Sequence, residues 1–111
     1  MALKLIWSRP ALQDVQDIRK FLKQYTENAS GVVKDILRNV EKLHPFPYLG
    51  RPGRISGTRE LVVLNQPYIV VYGVIEDARG EPWEIAIYHV YHAASNWQAN
   101  LDEEFSASDQ E

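Results

Sequence analysis

The sequence predicts an α+β fold of order β-α-α-β-β-β, with an N-terminal strand and an αα-hairpin packed on a mainly antiparallel, twisted sheet. Three observations carry this expectation. Two apolar stripes at helical spacing fill residues 11–43, separated by one polar break. Three apolar runs of strand type follow, divided by turn-forming residues. Cysteine is absent, so one hydrophobic core must hold the fold, with no disulfide framework, zinc–thiolate site or thiol nucleophile.

The elements follow in order. Leu3, Leu5 and Trp7 alternate with Lys4 and Ile6, the period of a short strand. Ser8 is placed to cap a helix, and Pro10 suits the first turn, where N–H groups lack helical partners anyway. Ala11, Val15, Ile18 and Leu22 then form one stripe, widened by Leu12, Phe21 and Tyr25. Thr26-Glu27-Asn28 breaks it, and Asn28 is expected to cap the second helix. Val32, Val33, Ile36, Leu37, Val40 and Leu43 give the second stripe, which His44-Pro45-Phe46-Pro47 ends. Residues 45–57 read as a loop. Strands are expected over Thr58–Leu64, Tyr68–Glu76 and Pro82–Tyr91, joined by Asn65-Gln66-Pro67 and Asp77-Ala78-Arg79-Gly80. Tyr68–Glu76 is nearly all apolar, as a strand buried on both faces would be. The last strand alternates strictly, with Trp83, Ile85, Ile87, His89 and Tyr91 on one face. A short helix or turn is expected over Ala93–Leu101.

Charge divides the chain. The net charge is -3, but residues 102–111 carry five acids and no base, which leaves 12 basic against 10 acidic residues in the body. Residues 1–101 are therefore expected to form a single domain, and 102–111 an acidic flexible tail. Such a tail disfavours nonspecific polyanion binding. No apolar run approaches the length of a membrane span, and the N-terminus does not read as a signal peptide, so no membrane association and a cytoplasmic location are expected.

Gly50-Arg51-Pro52-Gly53-Arg54-Ile55-Ser56-Gly57-Thr58-Arg59 holds three arginines and three glycines, and no acid stands between Glu41 and Glu60. Glycine lets backbone approach a neighbour, and arginine adds fixed positive charge. The plain alternative is a solvated basic turn. At the far end of the last strand stand His89, Tyr91 and His92. Arginine stabilises charge on phosphorus and histidine moves protons near neutral pH. Arg59, His89, Tyr91 and His92 could thus cleave RNA without a metal, provided that the strand's end lies near the arginine-rich entry. Alternatively, His89 hydrogen-bonds in a half-buried face while Tyr91 and His92 seal the strand. His89 and His92 point to opposite faces of an ideal strand. With His44 they are too scattered for a metal site, and no cofactor motif is present. Trp7, Trp83 and Trp97 read as core or rim packing.

The element order, Trp7-Ser8-Arg9-Pro10-Ala11, the Gly50–Arg54 loop leading to Gly57-Thr58-Arg59-Glu60-Leu61-Val62, Pro67–Tyr72 and the closing His92-Ala93-Ala94-Ser95-Asn96-Trp97 together resemble the RelE/ParE superfamily of type II toxin–antitoxin toxins. The resemblance implies a small growth-inhibiting toxin of a plasmid-stabilisation type of module, without cofactor, neutralised by a cognate antitoxin. It implies operator DNA contact only through that antitoxin, and it is compatible with a homodimer. ParE-like members inhibit DNA gyrase; RelE-like members cut mRNA on the ribosome. The Gly-Arg-Pro-Gly-Arg loop and the His-x-x-x-x-Trp ending are ParE-like, which makes Arg51, Arg54, Arg59, His92 and Trp97 the candidate target-binding residues. An inactive binding module of the same fold is the third reading. Phe21, Tyr25, Val33 and Leu37 extend beyond the narrow core stripes and form the candidate antitoxin-binding surface.

Overall fold

Ser8 joins the first two elements, β1 (Lys4–Trp7) and α1 (Arg9–Leu22). Its hydroxyl oxygen accepts the Ala11 N–H at 3.1 Å, the expected cap, with Pro10 in the first turn. The same hydroxyl donates to the Tyr88 carbonyl at 2.9 Å, across 80 residues of sequence. The computed structural model describes residues 3–95. α2 (Ala29–Glu41) follows a polar break, as expected. Asn28 stands at its N-cap but makes no side-chain capping bond. Its backbone, at φ -95° and ψ 22°, is not the extended form from which a cap reaches back, and the side chain fills the space over Gly31 instead.

Four strands follow: β2 (Arg51–Pro52), β3 (Arg59–Val62), β4 (Tyr68–Glu76) and β5 (Pro82–His92). β2 lies inside the expected loop, so the order gains one two-residue strand. The sheet order is β1-β5-β4-β3-β2. β1 runs parallel to β5, and all other neighbours are antiparallel. Asn65 (φ 63°) and Gly80 (φ 81°) adopt left-handed conformations in the two hairpin turns, which explains the residue types there.

The helix pair covers one face. Ile36, Val40 and Leu43 pack on Leu61, Val70, Tyr72, Ile85, Ile87 and Val90. On the other face Ile55 comes over from the arginine-rich loop onto Ile69 and Val71, beside Tyr88 and Tyr91. β4 is accordingly buried on both sides.

β5 departs from strict alternation. Register shifts opposite Val71/Tyr72 and Ile75/Glu76 leave Tyr88 and Trp83 as extra residues. After Ile85 and Ile87, the next residue on the helix-covered face is Val90, not His89. The Tyr88 ring lies over Gly73, where a Cβ would stand 2.8 Å from its hydroxyl. Beyond β5 the chain forms a turn over residues 93–95. The rest of the expected final helix, with Trp97, and the acidic tail lie outside the described residues. No helix among the described residues is long and apolar enough to cross a membrane.

Candidate functional site

The arginine-rich loop is built around a buried acid. Alternation in β3 puts Arg59 opposite Tyr72 on the helix-covered face and Glu60 opposite Val71 on the other. The Gly53 N–H donates to the Thr58 carbonyl at 2.7 Å and closes the loop. The Glu60 side chain is only 1% exposed. Arg51 donates to its Oε1 from Nε at 3.2 Å and Nη2 at 2.9 Å. The Arg54 N–H donates to Oε2 at 2.9 Å, with the Arg54 Nε 3.9 Å away. The positive charge of this segment is thus directed in large part at the acid that follows it. A buried carboxylate requires such partners.

Arg59 works on the opposite face. Its Nη1 donates to the Gly50 carbonyl at 2.7 Å and the Tyr48 carbonyl at 3.3 Å, and its guanidinium lies 5.0 Å from the centre of the Tyr48 ring. Tyr72, fully buried, donates its hydroxyl to the Pro47 carbonyl at 2.9 Å and accepts the Gly50 N–H at 2.8 Å. Burial raises the Tyr72 phenol above its ordinary pKa, partly offset by the Gly50 N–H and Arg59. Partial desolvation of its exposed ring and the neighbouring Glu76 carboxylate raise the Tyr48 phenol likewise, against the opposing charge of Arg59. Together these bonds hold an arm over residues 45–49 whose Phe46, Tyr48 and Leu49 are exposed.

The end of β5 is organised by α1. Asp14 Oδ2 accepts the Val90 N–H at 2.9 Å and lies 2.9 Å from His89 Nδ1. β1 pairs with β5 only as far as Ile87, so Asp14 satisfies an edge donor that β1 does not reach. His89 is buried and stacks on Tyr91, ring centres 5.0 Å apart. His92 is exposed; its Nδ1 accepts the Ala94 N–H at 3.1 Å, and its ring meets Tyr68 edge-on at 5.6 Å.

These groups do not converge as the sequence suggested. In a meander, alternate strands run the same way, so the end of β5 lies beside the end of β3 and not beside Arg59, although the loop before β3 folds over the sheet and sets Ile55 beside Tyr88 and Tyr91. Arg59 is level with Tyr72 and His92 with Tyr68. Four residues of β4 separate those levels, about 13 Å. His89 and Tyr91 are brought together; Arg59 and His92 stand apart from each other. Among the described residues no group of three His, Asp or Glu side chains is placed to hold a metal.

Of the candidate antitoxin-binding residues, Phe21 (56% exposed) and Tyr25 (72%) touch through their rings at the end of α1, and Leu37 is exposed on α2. Val33 is half-buried. Leu49, Val62 and Leu64 add exposed apolar surface along a groove between α2 and β3 that Asn39 and Lys42 also line.

Comparison with known proteins agrees with this architecture. Residues 5–97 match the family described as the ParE toxin of the type II toxin–antitoxin system parDE. The chain belongs to the ParE toxin family. Protein Y4kP of Sinorhizobium fredii is 35% identical over 95 residues, 85% of this chain and 92% of that protein. Among solved structures, the chromosomal ParDE TA system from P. aeruginosa superposes with a TM-score of 0.71 at 26% identity, over 81% of this chain and 95% of that one. The toxin–antitoxin complex RelBE2 from Mycobacterium tuberculosis shares the fold, with a TM-score of 0.57 at 16% identity over 83% of this chain and 99% of that one. In this ParE family member, sequence reasoning missed Asp14, Glu60 and Tyr48. For Glu60 a signal existed, an acid directly after an acid-free, arginine-rich stretch. For Asp14, 75 residues from His89, there was none.

Proposed function

We propose that the chain is the toxin of a type II module, held inactive by a cognate antitoxin, and that it stops growth by binding DNA gyrase without catalysis of its own. The separation of Arg59 from His92, with His89 engaged by Asp14 and Arg51 by Glu60, carries this reading. Metal-free RNA cleavage needs its proton-moving and charge-stabilising groups around one phosphate. The similar protein described as a chromosomal ParDE TA system supports the antitoxin partner; contact with operator DNA only through that antitoxin is part of the proposal. A domain over residues 1–101 with an acidic tail over 102–111 belongs to the same proposal.

Purified full-length protein is expected to inhibit gyrase supercoiling and to leave mRNA intact on translating ribosomes. His92→Gln should keep most of the inhibition. Trp97→Ala should weaken it roughly thirtyfold, the loss of a tryptophan anchor of about 2 kcal/mol. One observation favours the nuclease alternative, the Asp14–His89 pair stacked against Tyr91. Ribosome-dependent mRNA cleavage that His92→Gln abolishes would establish that alternative. Inactivity in both assays would leave a binding module.

A further inference from the structure

β1 is an edge strand, and only one of its sides is used. The Ser8 N–H donates to the Ile87 carbonyl, so in the parallel ladder Lys4, Ile6 and Ser8 turn their backbone groups towards β5. Leu5 and Trp7 turn theirs away from the sheet, and among the described residues nothing bonds to them. Sheet edges of this kind are usually blunted. At the far edge β2 is two residues long and contains Pro52. β1 has neither proline nor bulge.

The side chains of β1 divide by face. Leu3, Leu5 and Trp7 pack on the helix-covered core, which leaves Lys4 and Ile6 on the helix-free face, with Ile6 47% exposed. There Ile6 extends a row of small residues, being level with Ala86, which is level with Gly73.

We propose that β1 pairs antiparallel with β1 of a second copy, across a two-fold axis at Ile6, and joins two sheets into one. A two-fold contact must be self-complementary. Antiparallel partners that exchange both bonds must each turn their backbone groups to the seam. Leu5 opposite the second copy's Trp7 meets this condition. That register sets Ile6 against Ile6 on the axis and Lys4 against Ser8. The two Lys4 side chains then stand four residues apart along the seam, about 14 Å, beyond the screening length of about 8 Å at physiological salt. A register with Leu5 opposite Leu5 would also satisfy the bonds. It would set Lys4 against Ile6 and bring the two Lys4 residues to a diagonal of about 7–8 Å on one face. Apolar match and charge therefore select the first. A seam this short falls in the class below about 1,200 Å², so the dimer is weak and reversible. β2 forms the opposite edge, so the arginine-rich loops and α2–β3 grooves lie at the outer ends of the joined sheet. Pairing leaves both open, whichever target the toxin meets.

The chain has no cysteine, so single cysteines report the register in the full-length protein. Ile6→Cys places two Cα atoms about 4.5 Å apart, within disulfide range, and Lys4→Cys places them about 14 Å apart. Mild oxidation is expected to link Ile6→Cys into a covalent dimer and to leave Lys4→Cys unlinked, although Lys4 is exposed as well. In sedimentation equilibrium the mass of the parent protein should rise with concentration from one chain towards two. Ile6→Lys, which sets two cations on the axis, should remain one chain with an unchanged melting temperature. Should that variant fail to fold, the two cysteine variants still decide. A parent mass of one chain at every concentration, linking of Lys4→Cys as fast as Ile6→Cys, or a folded Ile6→Lys dimer would overturn the proposal. So would an Ile6→Cys protein that stays unlinked and whose thiol only the antitoxin shields from a thiol reagent, which would assign the edge to an antitoxin strand.

Discussion

Glu60 and Tyr72 each hold the arginine-rich loop from one face of β3. Arg51→Ala removes two charge-assisted bonds from a buried carboxylate and should lower stability by about 2 kcal/mol, read as a lower urea midpoint. Arg51→Lys should recover only part of it, because an ammonium group cannot form the guanidinium fork. An unchanged midpoint in Arg51→Ala would mean that Arg51 is free to serve a target. Tyr72→Phe orphans the Gly50 N–H and the Pro47 carbonyl and should cost about 1–3 kcal/mol. Burial raises the folded-state pKa of Tyr72 above 10.0. The stability linked to that shift is fully present below pH 10 and lost as pH rises through the folded-state value. Unfolding midpoints of the parent protein should therefore fall more steeply above pH 10 than those of Tyr72→Phe. At this scale the sequence was only half legible. It identified Arg51, Arg54 and Arg59 as a group, but residue type alone could not reveal that Arg51 and Arg54 face an acid on one side of β3 while Arg59 faces carbonyls on the other.

Among the elements, both helices and the long hairpin were legible because apolar periodicity extends over many residues. β4 has the expected bounds, and β5 runs one residue further than expected. β2 was not legible, since two residues containing a proline have no period. Nor were the bulges in β5, which are fixed by the partner strand and which reverse the faces assigned beyond Ile87. Close packing makes two glycines unequal. At Gly50 a Cβ would stand 2.7 Å from the Glu60 carbonyl oxygen, a backbone atom that cannot yield. At Gly73 it would meet the Tyr88 hydroxyl at 2.8 Å, the end of a side chain that can turn away. Gly50→Ala should cost about 1–3 kcal/mol, and Gly73→Ala clearly less, in thermal unfolding. The reverse order would mean that the Tyr88 ring is held more rigidly than the loop.

The whole molecule presents a ParE-type body with exposed apolar residues on both helices and along the α2–β3 groove. An antitoxin covering Phe21, Tyr25, Leu37 and the groove would bury on the order of 2,000 Å² or more. Phe21→Ala combined with Leu37→Ala should weaken antitoxin binding roughly thirtyfold, about 2 kcal/mol, without lowering the melting temperature, because both side chains are exposed in the isolated toxin. Titration calorimetry with the purified antitoxin would read this. Unchanged affinity would move the interface elsewhere on the surface. Global topology was legible as a class, not in detail. That β1 pairs with β5 is decided by long-range packing, and no local pattern encodes it.

The bond from Ser8 to Tyr88 sets an order in time as well as in space. β1 is made before the other described strands yet has no partner among them until β5 has been made. The core on which the helices rest draws Ile85, Ile87 and Val90 from that same strand. A nascent chain halted before β5 cannot close its sheet, and contacts this distant in sequence make folding slow relative to a helical bundle. Closure of the sheet therefore waits until β5 has been made, and until then both helices lack much of the surface on which they pack.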